Sequence, residues 1–214
     1  STPLPTLFPY TTLFRSVLYK RNIYLKESSV EAQYQALQSQ LNPHFLFNSL
    51  NTLISEIGYN PENAILFTQN LSDVYRYILQ CQQQRLVTLG SELEFLDSYV
   101  FLHRVRLGDC ITVDCRLDES LLEYRLPPLT LQLLAENVIK HNIISLRQPM
   151  VLSLSSEDEN WLVVSNSVRP KKSVQPSGMG LKNLASRYRL VCGQEIIIEK
   201  TTELFTVKIP LLYE

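Results

Sequence analysis

At Gly108 the apolar pattern of this chain changes its period. From about Lys26 up to that glycine, apolar residues recur every three or four positions, the spacing of one helical face. Beyond it they alternate or gather in short β-branched runs bounded by turn residues. Helices come first, then strands with interspersed helices, which predicts an α+β fold whose sheet is covered by helices on one face. In the helical part, Val30, Tyr34, Leu37 and Leu41 read as the stripe of a short coiled coil. Leu46, Leu50, Leu53 and Ile57 continue it past Pro43, and a second helix from Ala64 to about Gln82 carries Leu71, Val74, Tyr75, Ile78 and Leu79. With Gly58 and Pro61 marking one turn between them, the two helices read as a hairpin that buries its stripe against a partner. A homodimer forming a four-helix bundle is the economical solution. A third helix, Ser91 to Leu107, places Leu93, Leu96, Val100 and His103 on one side. Strands are expected at 111–117, 150–154, 161–164, 195–199 and 205–209, with helices at 129–141 and 181–190 and Trp161 in the core.

Composition narrows the function classes. Among 214 residues, 20 Lys and Arg stand against 21 Asp and Glu, a formal net charge of −1, without the basic surplus of a non-specific DNA binder. The 45% hydrophobic content excludes a mainly disordered chain. Nowhere do about 18 apolar residues run together, the length a membrane-crossing helix needs. Cys81, Cys110, Cys115 and Cys192 form no CxxC pair and read as reduced thiols. The first sixteen residues, with Pro3, Pro5 and Pro9, have neither period, and Thr6 to Ser16 looks like a translated DNA-sequencing adapter. We therefore expect 1–16 to be an assembly scar, the native sequence to start near Val17, and a native segment to be missing upstream. Residues 17–87 would form the helical hairpin, 88–109 a connecting helix and 110–214 the α+β domain.

The string NPHFLFNSLN, Asn42 to Asn51, is the most unusual stretch. At about 100° per residue, His44 falls roughly 150° from the Leu46/Leu50/Leu53/Ile57 stripe, so its ring should face solvent. Pro43 removes a helical hydrogen bond and should kink the helix there. An exposed imidazole is a nucleophile near neutral pH, and Asn48, one turn on, is placed to bond a ring nitrogen and fix its tautomer. Taken alone, a surface histidine beside a proline is an ordinary exposed residue. The whole string, however, resembles the phosphoacceptor box of the LytS/YehU-like sensor histidine kinases, in which the histidine attacks the γ-phosphate of ATP.

A second constellation runs from Leu126 to Asn142, LPPLTLQLLAENVIKHN. It reads as a helix with a proline at its first position. Leu131, Leu134, Ala135 and Val138 share one face, and Asn137, Lys140 and His141 share another. An amide oxygen suits Mg²⁺, and a lysine one turn away meets phosphate as a point charge; a solvated helix face is the plain alternative. Ser177 to Asn183, SGMGLKN, then opens a helix, with Gly178 and Gly180 allowing close approach of phosphate to the backbone. The preceding loop, Val168 to Pro176, has the composition of a lid over phosphates.

Both segments resemble the N-box and G-box of the GHKL ATP-binding fold (gyrase, Hsp90, histidine kinase, MutL), in the order that fold requires. The resemblance implies ATP and Mg²⁺ as cofactors, with Asn137 the metal ligand, Lys140 a phosphate contact and His141 a wall beside the ribose or adenine. Ser177, Gly178, Gly180 and Leu181 would line the phosphates. Asn166 stands where the family has an aspartate that accepts from the adenine amino group, and no glycine follows it. Phe45 stands where many histidine kinases have a carboxylate, leaving the general base unassigned; Glu136 lies on a different helical face from Asn137. The chain is thereby expected to be the transmitter of a two-component sensor, autophosphorylating on His44 and passing the phosphoryl group to an aspartate of a response regulator, often of LytTR type. Its expected place is the cytoplasmic face of the bacterial membrane, held through missing upstream segments and without direct contact to nucleic acid. Asn166 favours the alternative of a degenerate pseudokinase scaffold; an ATP-hydrolysing clamp of the gyrase type leaves the exposed histidine without a purpose. His103 with Arg104 and Arg106 reads as a packed helix end or, less simply, as a phosphate sensor.

Overall fold

The computed structural model describes residues 43–158, 160–171 and 179–213. The expected scar at 1–16, the stripe Val30/Tyr34/Leu37/Leu41 and residues 172–178 lie outside the described residues. By internal contacts the chain divides into two units, Ser1–Leu46 and Phe47–Glu214; residues 43–46 are the described part of the first.

Helix α1 spans Pro43–Tyr59 and α2 spans Pro61–Gln80, joined at the single residue Asn60. The break falls there because Asn60 caps α2, its side chain accepting from Asn63 N, and Pro61 lacks the N–H a continuing helix would use. Asn63 in turn donates to Glu56 across the joint at 2.6 Å. Helix α2 buries Ala64, Phe67, Leu71, Val74 and Ile78, a single stripe that packs on α3, Leu89–Leu107. Tyr75 is half-buried and Leu79 exposed, so the stripe is narrower than the spacing predicted. On α1, Leu50 and Ile57 are exposed, and so are Phe47 and Ile54, whereas Leu53 is half-buried.

Helix α3 is capped by Thr88 and ends at Gly108, whose φ of 81° continues no helix. Leu96, Val100 and His103 are buried and Leu93 half-buried. A two-stranded sheet, missed in the sequence because each strand is two residues long, pairs β1 (Val87–Thr88) with β3 (Arg125–Leu126). It brings the start of α3 beside the chain that leads into α4, Thr130–His141, and Arg125 also pairs with Leu212 near the C-terminus.

The main sheet holds β2 (Ile111–Arg116), β4 (Met150–Glu157), β5 (Trp161–Ser167), β6 (Ile197–Lys200) and β7 (Leu204–Pro210) in the order β2-β4-β5-β7-β6. Only the β2–β4 pair is parallel, its crossover containing α4; the other pairs are antiparallel. Alternation puts Met150, Leu152 and Leu154 with Leu162 and Val164, and with Val207 and Ile209, on the buried face. Trp161 falls on the opposite, half-exposed face, against the expectation that it is core, because the buried set on β5 is Leu162, Val164 and Asn166. Helix α5, Met179–Cys192, buries Leu184 and Tyr188 and ends at Gly193 with φ 65°. Cys110 is buried just before β2 and Cys115 is exposed on it.

Candidate active site

Helix α4 begins in an unexpected way. Pro127 and Pro128 precede it rather than supplying its first residue, and Leu129 stands at its N-cap with φ 61° and ψ 21°. That left-handed conformation costs a leucine about 1–2 kcal/mol, and no side chain of its own caps the helix. The cap comes from α3. Glu92, fully buried, accepts from Leu129 N at 2.7 Å and Leu131 N at 2.9 Å. Its burial pushes the carboxyl above the ordinary range, while the backbone N–H groups and the Tyr77 hydroxyl pull it back. From α5, the Arg187 guanidinium donates to the Pro128 carbonyl at 2.6 Å. Helices α4 and α5 are thus pinned at the same turn.

The other end of α4 is closed by the segment after β5. Asn142 N and Nδ2 donate to Val138 O, Lys171 Nζ donates to Ile139 O at 2.8 Å, and Lys171 N donates to His141 O at 3.0 Å. Asn142 Oδ1 accepts from Arg169 N. Of the last four carbonyls of α4, those of Val138, Ile139 and His141 receive donors here, and the chain leading to residue 172 is laid beside His141.

Between these ends, α4 turns Leu131, Leu134, Ala135, Val138 and Ile139 into the core. Asn137 is half-buried, and among the described residues its buried Nδ2 has no hydrogen-bond partner. Gly180, the second residue of α5, stands against it: a β-carbon there would lie 3.6 Å from Asn137 Oδ1. A buried amide left without a partner beside a glycine of a helix's first turn is a polar group still open to a ligand. Lys140 is exposed and His141 half-buried. Partial burial, then Lys140, Lys171 and Lys200, hold the His141 imidazole below its usual range, so it faces this surface neutral amid positive charge. Asn166 is buried on the helix-covered face of β5, its Nδ2 donating to Ser167 O at 2.7 Å, which turns Oδ1 away from that carbonyl. Leu181 is half-buried; Ser177 and Gly178 lie outside the described residues.

His44 is exposed on α1, and Asn48 is half-buried with its carbonyl accepting from Thr52. Glu136 is half-buried, and its charge helps burial to raise the Tyr99 hydroxyl on α3 above its usual range. His103 is 5% exposed; burial and the Arg106 guanidinium, which donates to Nδ1 at 3.0 Å, lower its pKa to about 3. It is a packed, neutral ring and not a phosphate sensor. Sequence reasoning missed Glu92, Asn142, Lys171 and Lys200. Glu92 carries the pattern of a first-turn acid serving its own helix, and the charge of Lys200 bears on His141 only once the strands are ordered.

A family model described as Histidine kinase matches residues 32–111. The sensor protein LytS of Staphylococcus haemolyticus (strain JCSC1435) is 33% identical over 130 residues, 61% of this chain and 22% of that protein. The sensor histidine kinase YpdA of Escherichia coli (strain K12) is 32% identical over 189 residues, 82% of this chain and 33% of that protein. The chain belongs to the LytS-like sensor histidine kinases. It spans between about a fifth and a third of the length of these two relatives. Helices with a mixed five-stranded sheet make this an α+β fold, as the sequence led us to expect. The solved structure of Acinetobacter baumannii histidine kinase AdeS is similar at 13% identity and a TM-score of 0.40, covering 86% of this chain and 97% of that one. Among the described residues no helix is long and apolar enough to cross a membrane.

Proposed function

We propose that this chain is the transmitter segment of a two-component sensor, which uses ATP and Mg²⁺ to phosphorylate His44 and passes the phosphoryl group to an aspartate of a response regulator. The observation that supports this reading is the unpaired buried Asn137 amide set against Gly180, on the two elements whose sequences resemble the family's nucleotide boxes. Turned by 180°, the same amide would offer Oδ1 to Mg²⁺, whose charge would offset that of the phosphates. Lys140, Lys171 and Lys200 would offset the charge of the phosphates, and Asn166 would accept from the adenine amino group through Oδ1. His44, exposed on α1, supplies the nucleophilic imidazole, with Asn48 one turn along to orient it. Catalysis then consists of positioning and charge neutralisation.

The regulator, of LytTR type by analogy with the family, and a second copy of the chain are the partners in this reading. The natural protein would sit at the cytoplasmic face of the membrane. Incubation with γ-labelled ATP and Mg²⁺ tests it: acid-labile label on the wild type, absent from His44→Gln while nucleotide binding persists, is the expected result. Nucleotide binding with no label on the wild type would instead select a pseudokinase scaffold, the reading that the neutral Asn166 favours. Steady phosphate release without a phosphoprotein would select an ATP-hydrolysing clamp.

A further inference from the structure

Glu92 does more than cap α4. Its Oε1, which takes Leu129 N, also accepts the Tyr77 hydroxyl at 2.8 Å, and Tyr77 belongs to α2. The Tyr77 ring is stacked on Phe95 of α3, centroids 4.6 Å apart, which fixes the direction of that hydroxyl. One buried carboxylate oxygen is therefore shared between the helix that follows α1 and the first turn of α4. The acceptor lies 37 residues before Leu129 and 15 after Tyr77, so neither contact is local. The turn it holds is itself strained at Leu129, and a strained backbone persists only where its surroundings over-determine it. Arg187 on the Pro128 carbonyl brings α5 to the same turn. Helix α4 is thus tied to Tyr77 through two hydrogen bonds and α5 through three.

We propose that Tyr77 and Glu92 form a positioning relay that couples helix α2 to the nucleotide helix α4, so that filling the nucleotide site changes how firmly α2 is held. This rests on the nucleotide reading above. Coupling between sites is reciprocal: if the nucleotide tightens α2 through Glu92, a hairpin held in place presents α4 ready for transfer. Tyr77 and Glu92 are positioning residues here and touch no reacting atom.

The test uses the 214-residue chain with a non-hydrolysable ATP analogue and Mg²⁺, wild type against Tyr77→Phe, which keeps the ring stack and removes only the hydroxyl. Amide hydrogen exchange over 61–80 is expected to slow on binding the analogue in the wild type and to lose that response in Tyr77→Phe. Analogue affinity should stay within about twofold, while labelling of His44, measured separately with γ-labelled ATP and Mg²⁺, slows about tenfold. A merely structural role would move affinity, rate and melting temperature together. Should the wild type not bind the analogue, the nucleotide reading fails and the relay with it. Binding with no change over 61–80 in the wild type overturns the relay alone, whatever becomes of the variant. An equal response in both chains, or faster labelling in Tyr77→Phe, overturns it too.

Discussion

The side-chain amide of Asn137 on α4 lies 3.6 Å from where a β-carbon on Gly180 of α5 would stand. That distance is ordinary van der Waals contact, and Gly180 has no positive φ. Gly180→Ala is therefore expected to fold, with stability unchanged or raised by up to about 1 kcal/mol from helix propensity. In the proposed nucleotide site, affinity should nevertheless fall about tenfold, because the methyl group would stand against the Asn137 amide. Calorimetric binding of an ATP analogue, set against thermal melting of the same chain, separates the two effects.

Glu92→Ala leaves Leu129 N, Leu131 N and the Tyr77 hydroxyl without their acceptor. Removing a buried hydrogen-bonded carboxylate of this kind should cost about 3–5 kcal/mol, on the order of 10 °C in melting temperature for a chain of this size.

The charge on Glu92 gives a second, opposite handle. Its folded pKa is raised by burial, so the folded chain keeps the proton to higher pH than the unfolded one. That contribution to stability is complete below the unfolded value of about 4.3 and is lost as pH rises through the raised folded value. Glu92→Gln cannot titrate, so its melting temperature relative to wild type should climb between pH 4 and pH 8. A gap that stays flat across this range would contradict the raised value.

His103 has the reverse sign. With its pKa lowered to about 3, the folded chain refuses a proton that the unfolded chain takes up near 6.5. Its share of stability is present above that value and drains away as pH falls from 6.5 toward 3. Ring-proton spectra should show no His103 titration between pH 8 and pH 5, and His103→Leu should flatten the acid limb of the melting curve.

On α1, Phe47 and Ile54 are 67% and 69% exposed, with Leu50 and Ile57 exposed between and beyond them, a three-and-four spacing that is apolar and open. In the proposed homodimer this stripe is the seam. Ile54→Glu with Ile57→Glu should yield a monomer by light scattering; a dimer that survives the double change would place the seam elsewhere.

How much was legible in the sequence follows from the range of each interaction. The five strands of the main sheet and the helices around them were written in local period, since alternation and 3.6-residue spacing are what a half-buried strand and helix require. Their ends shifted by a few residues where a cap rather than a period decides, as at Asn60 and Leu129. The two-residue strands β1 and β3 have no period to read. Trp161, expected in the core, lies on the half-exposed face because the parity of β5 buries Leu162, Val164 and Asn166 instead.

The site divides along the same line. Asn137, Lys140 and His141 share a face through helical geometry alone, so their grouping was legible in spacing; His44 is exposed as expected, but so are Leu50 and Ile57 of the stripe it was set against, and Phe47 one turn along. That Gly180 would meet Asn137, that Lys171 and Lys200 would surround His141, and that Glu92 would cap a helix 37 residues away and answer to Tyr77 belong to the tertiary structure. A local pattern records which face a residue occupies. It is silent on which distant donor a buried carboxylate will find, because that choice is made only when whole helices and strands compete to bury their faces and satisfy the polar groups they carry inside.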